Sequence, residues 1–519
     1  MARLSEFEGK RVLARHGIAV PRGQVARSPL EAQHAAASLG CPVVVKIQAW
    51  TTGRAAMGGV AFAEVPQAAG DHAARMLQLR VGQFPVDSVL VEERLPIVRE
   101  FFASLAIDDR ARAPVLLFSS SGGSGVEDRA ASTRRIPCDV ATGPDDAALR
   151  SAARDALRAH DAAGIDALVA ALRAIFDVAK AAEARSVEVN PLVLTQDGHI
   201  VAADCRMTID DYAVFRHPEL GIEIAREFDH PPTALERVAY AVEQADHRGT
   251  FYFAQLATAP AATGSSGARG LVGFHGAGGG GSMMAMDAIA THGFTVANFT
   301  DTSGNPSSAK VYRASRIILS QPGLCGYFGS GSGVASQEQF WSAYGLAKAF
   351  WEMNLDVPAV IRLGGNTEDR AVDILESACR DLPATVEGYR KTDTPAFIAR
   401  RFSELVEAAG GRVWSPRPRR VPAWTKGPNV VAAPINGGRV LVDASRWERA
   451  KPIILAHATG ILRDNGGKPE FALAGAQLAS KDSELIAAEV ECRRAAIDAV
   501  FVDLDIPGLA DATGIREER

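Results

Sequence analysis

Glu-Val-Asn-Pro-Leu-Val-Leu-Thr-Gln-Asp-Gly-His-Ile-Val-Ala-Ala-Asp, residues 188–204, is the stretch on which the fold turns. Two apolar-alternating runs, 187–194 and 200–203, flank Gln196-Asp197-Gly198-His199, and an Asp-Gly step between such runs is a strong hairpin signal. Glu188 and Asn190 share parity, hence one face of the first strand, and the second strand ends at Asp204. Pairing brings Asn190 and Asp204 close across the ladder. An amide oxygen and a carboxylate on a rigid sheet are hard ligands suited to Mg²⁺, which keeps its other positions for water and substrate phosphates. A surface hairpin with two ordinary polar residues has the same spacing, and the upstream chain must decide between the readings.

The chain has 519 residues, 47% hydrophobic and 23% charged, which places it with ordinary globular proteins of roughly three or four domains. A net charge of −5 supplies no general basic field, which argues against nucleic acid as a partner. Cys41, Cys138, Cys205, Cys325, Cys379 and Cys492 show no Cys-x-x-Cys spacing, so neither a zinc site nor a disulfide framework is expected. No run reaches the roughly 18 apolar residues of a membrane span, and no apolar signal region precedes the first helix. The expected compartment is the cytoplasm.

Ser5-Glu6-Phe7-Glu8 is a capping box whose helix is stopped by Gly17 and Pro21, and Ser28-Pro29-Leu30-Glu31 opens a second helix closed by Gly40. A strand over 43–48 follows, with Lys46 inside Val-Val-Val-Lys-Ile. A buried ammonium needs an anion. The loop after it, 51–60, carries Gly53, Arg54, Ala55, Gly58 and Gly59, a composition able to grip phosphates with a guanidinium and backbone N–H groups. The alternative is a snorkelling edge-strand lysine and a plain turn. Residues 89–93 form a strand ending in Glu92 and Glu93; such a glutamate beside an adenosine site can accept from ribose hydroxyls. Runs 101–107 and 114–118 read as a hairpin followed by a second Gly/Ser loop, 119–125, and residues 145–184 as two helices.

Lys46, the 53–59 loop, Glu92, Glu100, Asn190 and Asp204 match the order and spacing of the ATP-grasp fold. More narrowly, the chain resembles the β subunit of ADP-forming succinate–CoA ligase, also through residues 4–18, Leu-Ser-Glu-Phe-Glu-Gly-Lys-Arg-Val-Leu-Ala-Arg-His-Gly-Ile, and 214–220, Val-Phe-Arg-His-Pro-Glu-Leu. The resemblance implies that Lys46, Gly53, Arg54, Ala55, Glu92, Leu95 and Glu100 hold the nucleotide and that Asn190 and Asp204 hold Mg²⁺. Where that family usually has a Gly and a Lys in the loop, this chain has Ala55 and Ala56.

From Gly270 onward, short apolar strands at 271–274, 294–299, 324–328 and 359–363 alternate with helices at 283–292, 307–320, 337–353 and 367–379, the pattern of a doubly wound parallel sheet. Its ligands sit off the carboxyl ends of the strands, where 275–282, 329–333 and 362–366 supply polar or Gly-rich loops. Gly276-x-Gly278-x-x-Gly281 formally fits a dinucleotide fingerprint, but five glycines in six positions satisfy many such patterns. Gly276-Ala277-Gly278, Ala297-Asn298-Phe299, Ile317-Ile318-Leu319-Ser320 and the run 357–366 instead resemble the CoA-ligase domain of the same family. There the resemblance implies catalytic roles for His275 and Arg362 and a carboxylate site at His275, Gly331, Ser332 and Gly333. His275 replaces that family's asparagine, and Ser330-Gly331-Ser332-Gly333-Val334 replaces its Gly-Gly-Ile-Val-Arg loop, which leaves the acid open. A phosphorylated His275 is the sharper reading and a pocket-lining or structural histidine the plainer one.

The expected fold is therefore α/β: an N-terminal ATP-grasp fold over 1–245, a flavodoxin-like doubly wound CoA-ligase domain over 270–410, a Pro/Arg-rich linker over 411–428, and a small α/β extension over 429–519. In the last, strands are expected near 429–432, 439–442, 451–455 and 500–502, with a helix over 480–499. The function implied is the nucleotide-binding subunit of an ADP-forming carboxylate–CoA ligase, with ATP and CoA as co-substrates and Mg²⁺ as cofactor. Its partners would be a small carboxylic acid and an α-type CoA-binding subunit carrying a phosphohistidine, in a hetero-oligomer without nucleic acid or membrane. A stand-alone ATP-grasp ligase and a non-catalytic nucleotide-binding assembly subunit are the competing readings.

Overall fold

The computed structural model describes residues 1–519 except 124–132, 158–161, 247, 249, 261–268, 332–337 and 516–519. It divides into two compact units, Met1–Pro232 and Thr233–Arg519. No helix among the described residues is long and apolar enough to cross a membrane.

Among its described residues the first unit holds, besides a short two-stranded sheet of Arg80–Val81 with Phe84–Pro85, two main antiparallel sheets. The smaller runs Gly23–Ala26, Val89–Glu93, Val43–Ile47, Val60–Ala63. Helices Pro29–Leu39 and Pro66–Met76 share its apolar core through Ala32, Ala35, Ala69 and Ala73, small residues that let helix and strand approach closely. The larger sheet is built on the long strands Ile97–Asp108 and Ala184–Thr195, with Arg206–Ile209 and Ala113–Ser119 outside them. Helices Asp146–Leu157 and Ala162–Ala181 pack their apolar stripes, including Leu149, Leu168, Leu172 and Phe176, into its core.

The hairpin at 188–204 forms as its alternation dictates. Ala184–Thr195 pairs with Ile200–Ala202 through Leu192↔Ala202, and with Arg206–Ile209 through Glu188↔Arg206. Both ladders run in one register, which sets Asn190 opposite Asp204 between them.

In the second unit, Asn298–Asp301, Leu271–Ala277, Leu324–Gly331, Ala359–Arg362 and Val386–Tyr389 lie parallel in that order, with Tyr252–Gln255 antiparallel at one edge. This is the doubly wound sheet expected from the alternation. Helix Gly279–Thr291 begins four residues before the expected 283, and takes Gly279 to Gly281 into its first turn.

The residues after Gly410 share this unit's core. Trp414 is 1% exposed and donates its indole N–H to Leu319 O at 2.5 Å, so the Pro/Arg-rich run is anchored at its start. Helix Asp482–Arg494 packs on Ser308–Leu319 and Phe340–Met353, and every residue of Ser308–Leu319 is buried. The run 451–455, expected as a strand, lies inside helix Trp447–Ala458. Trp447, Ala450, Ile454 and Ala458 form its buried stripe at helical spacing, and a short apolar run alone does not distinguish the two periods.

Candidate active site

The carboxyl-terminal edge of the hairpin meets the first helix. Helix Glu6–Arg15 starts at the Ser5–Glu8 capping box, and its buried face carries Glu6, Gly9, Lys10 and Leu13. A Cβ on Gly9 would stand 2.7 Å from Cys205 Sγ, so only glycine lets the helix lie this close to the strand leaving Asp204. That approach delivers two charged side chains to the hairpin.

Six ionised groups converge there. Lys46 Nζ donates to Glu6 Oε1 at 2.9 Å and Ala203 O at 2.7 Å, and pairs with Glu92 Oε1 at 2.6 Å. Lys10 Nζ donates to Glu6 Oε1 and Glu92 Oε2, each at 2.7 Å, and to Ala203 O at 2.8 Å. Arg54 spans the group, with Nη1 on Glu6 Oε2 at 2.5 Å and Nη2 on Asp204 Oδ2 at 2.7 Å. Three cations face three carboxylates, so the buried set is balanced.

The electrostatics follow from that balance. Burial opposes the ionised form of Glu6, but Lys10, Lys46 and Arg54 outweigh it and hold the carboxyl well below the ordinary carboxylate range. Burial likewise works against the charge on Lys46, and Glu6, Glu92 and Asp204 reverse it, raising the ammonium's pKa. Arg54 is raised by Glu6 and Asp204 against the same penalty. Glu6, Lys46 and Arg54 are thus held in their charged forms by their neighbours.

Lys46, Arg54, Glu92 and Asp204, expected from sequence, thus meet in one cluster. Glu92 differs from its expected place: it is 2% exposed with both oxygens on lysines, an anchor for them rather than an acceptor for ribose hydroxyls. The sequence alone assigns Glu6 and Lys10 no place in the site. Their signal is the i, i+4 spacing of opposite charges on the helix face that also carries Leu13.

Asn190 and Glu100 belong to a neighbouring group. Asn190 Oδ1 accepts from Gly123 N at 2.7 Å, and Gly123, at φ +83°, lies beside Glu100 Oε2. Glu100 is exposed and lines an open cleft with Arg99, Ser120, Ser121 and Gly122. Leu95 packs on Val193, Val201 and Ala203. Gly53 and Ala55 are exposed in a turn-rich loop, with Ala56 N donating to Gly53 O and Gly58 N to Ala55 O. The donor set at the hairpin fits a hard cation, since Asp204 is one-fifth exposed and Asn190 Oδ1 keeps a second lone pair.

The remaining expected residues lie in the second unit. His275 is 7% exposed, with Nδ1 2.6 Å from Tyr327 Oη and Nε2 3.0 Å from Thr302 Oγ1, and burial pushes its pKa down to about 4. Both ring nitrogens of a neutral imidazole are thereby engaged, which is the geometry of a strut rather than a phosphoryl carrier. Arg362 donates to Gly331 O at 2.9 Å, Lys391 O at 2.6 Å and Arg390 O at 3.3 Å, tying three strand ends together. Ser332 and Gly333 lie outside the described residues.

His275 gives a pH prediction. Because its folded pKa lies below the ordinary 6.5, the unfolded chain takes up a proton between pH 6.5 and 4 that the folded chain refuses. Stability falls as pH drops through that window, by about 1.4 kcal/mol per pH unit and about 3 kcal/mol in all. Denaturant titrations of the wild type and His275→Asn across it should differ in slope by that amount; parallel curves would refute the buried neutral imidazole.

Comparison with known proteins gives a consistent result. Residues 3–194 match the ATP-grasp domain family model. The β subunit of GDP-forming succinate–CoA ligase from Thermus thermophilus is 32% identical over 72% of this chain and 93% of its own length. An ADP-forming counterpart from Streptomyces coelicolor is 33% identical over 78% of this chain and 99% of its own. Among solved structures, ATP citrate lyase from Methanothrix soehngenii, in complex with citrate and coenzyme A, superposes with a TM-score of 0.60 at 18% identity, covering 78% of this chain and 99% of that one, a likeness of fold.

Proposed function

The chain belongs to the β-subunit family of succinate–CoA ligases, acid–thiol ligases with ADP-forming and GDP-forming members, and on that premise we propose that it supplies the nucleotide half of an ADP-forming carboxylate–CoA ligase. The convergence of Lys46, Arg54, Glu92 and Asp204 on one hairpin edge is the observation that carries the reading. A carboxylate is a poor acyl donor to a thiol, and phosphoryl transfer from ATP turns it into a good one. Lys46 and Arg54 bind the phosphates and hold them in line, Glu92 fixes the lysines, and Glu100 borders the cleft that admits the nucleotide. Asn190 and Asp204 would hold Mg²⁺, which supplies charge neutralisation to the phosphates.

CoA binding and the phosphohistidine fall to an α-type partner subunit, since His275 has no nitrogen to spare. His275 and Arg362 instead set the shape of the strand ends on which the carboxylate loops are mounted. With His275 withdrawn into the sheet, the acid is read by other groups, and succinate is one candidate among small carboxylates.

The test is ADP release by the chain reconstituted with a CoA-binding α subunit, across a panel of carboxylic acids. Release that requires CoA, one acid and the partner together is the expected result. Release without the partner would favour a stand-alone ligase. If no acid elicits it, the non-catalytic assembly reading, which Ala55 and Ala56 favour, takes its place.

A further inference from the structure

We propose that Glu6 is an internal competitor for the phosphate-binding cations, so that nucleotide phosphates bind by displacing its carboxylate from Lys46 and Arg54; this rests on the nucleotide-site reading above. The geometry is specific. An ammonium has three N–H donors, and those of Lys46 are matched by Glu6, Glu92 and Ala203 O. Any phosphate oxygen must therefore take one of these places. The carbonyl is fixed in the hairpin backbone and Glu92 pairs with the two lysines alone, whereas Glu6 holds Lys46 and Arg54 together.

Glu6 also bridges the two cations: Oε1 accepts from Lys46 and Oε2 from Arg54. One carboxylate thus engages both residues assigned to phosphate, as a phosphoryl group would. Lys10, four residues on along the same helix, donates to the same Glu6 Oε1 at 2.7 Å. It supplies the counter-charge that keeps Glu6 paired after the exchange, which makes displacement affordable inside a buried cluster. Glu6 thereby lowers nucleotide affinity and ties phosphate release to re-formation of its own ion pairs.

Titration calorimetry with MgADP and with adenosine, on the full chain, tests the proposal. Glu6→Gln should tighten MgADP binding by about tenfold or more, the scale of one unit charge removed a few ångströms from the phosphates, and leave adenosine unchanged. Glu6→Gln combined with Lys10→Gln keeps the cluster's net charge and should tighten MgADP as well, which covers failure of the single variant to fold. Weaker or unchanged MgADP binding in the folded variants, with a wild type that binds, overturns the proposal and makes Glu6 a positioning residue. A shift shared by MgADP and adenosine overturns it too. A wild type that binds neither overturns the nucleotide-site reading itself.

Discussion

Asp204→Ala should abolish nucleotide turnover and leave the protein folded. The carboxylate stands at the end of the hairpin, one-fifth exposed, where it accepts from Arg54 Nη2 at 2.7 Å and from Cys205 N at 2.7 Å. Losing it removes a hard oxygen ligand and releases one arm of Arg54, whose other arm remains on Glu6. Arg54 and Asp204 are 12% and 20% exposed, so losing the pair costs the fold more than a surface ion pair would, about 2 kcal/mol. The chemical loss is far larger, because an electrostatic contact made to the reacting phosphates contributes about a hundredfold or more to kcat. Coupled ADP release with the α partner and a thermal melt separate the two quantities. Turnover within a few-fold of wild type would show that the metal edge has been placed wrongly. Asn190→Ala should raise the Mg²⁺ concentration needed for half-maximal rate, since it removes the facing oxygen while its Gly123 contact is replaced by water.

How far sequence reached here depends on the range of the interaction that decides each feature. The hairpin was legible because alternation and Asp197-Gly198 are local, and pairing of its strands brings Asn190 opposite Asp204. The parallel sheet was legible for the same reason, through short strands alternating with helices. The ion cluster was half legible. Lys46 and Arg54 announce themselves by lying where a cation has no local partner, but Glu6 and Lys10 belong to a helix whose cap and period read as ordinary. Only the approach of Gly9 to Cys205, almost two hundred residues away, turns that helix face into part of the site. His275 misleads for a related reason: Thr302 follows the end of Asn298–Asp301 and Tyr327 lies inside Leu324–Gly331, and no spacing announces two hydroxyls waiting for one imidazole. The region after Gly410 looked separable because its composition changes there, while the contacts that bind it to the sheet domain, such as Trp414–Leu319 and Lys348–Glu489, connect residues 95 and 141 positions apart.

Those contacts predict the largest stability effect in the chain. Lys348, Glu352 and Glu489 are all 0% exposed; Lys348 Nζ donates to Glu352 Oε1 at 2.5 Å and to Glu489 Oε2 at 2.8 Å. The ammonium also lies over the rings of Tyr312 and Phe501, at 5.0 and 4.7 Å from their centroids. Burial opposes the charge on Glu352, and Lys348, with Arg419, Arg316 and Arg493, keeps its carboxyl below the usual range. Lys348→Met leaves two buried carboxylates short of their shared cation and should destabilise the second unit by about 3–5 kcal/mol. Glu489 also accepts from Val502 N at 3.0 Å, so the same pair fixes strand Val500–Leu504, which runs antiparallel to Gly438–Asp443. Truncation after Gly410 removes Glu489 and uncovers Ser308–Leu319 at once, so it should cost the second unit at least as much as Lys348→Met. Denaturant unfolding of these variants is decisive: a loss under about 1 kcal/mol for Lys348→Met would mean that the C-terminal region rests on the sheet domain without the ion triad holding it there.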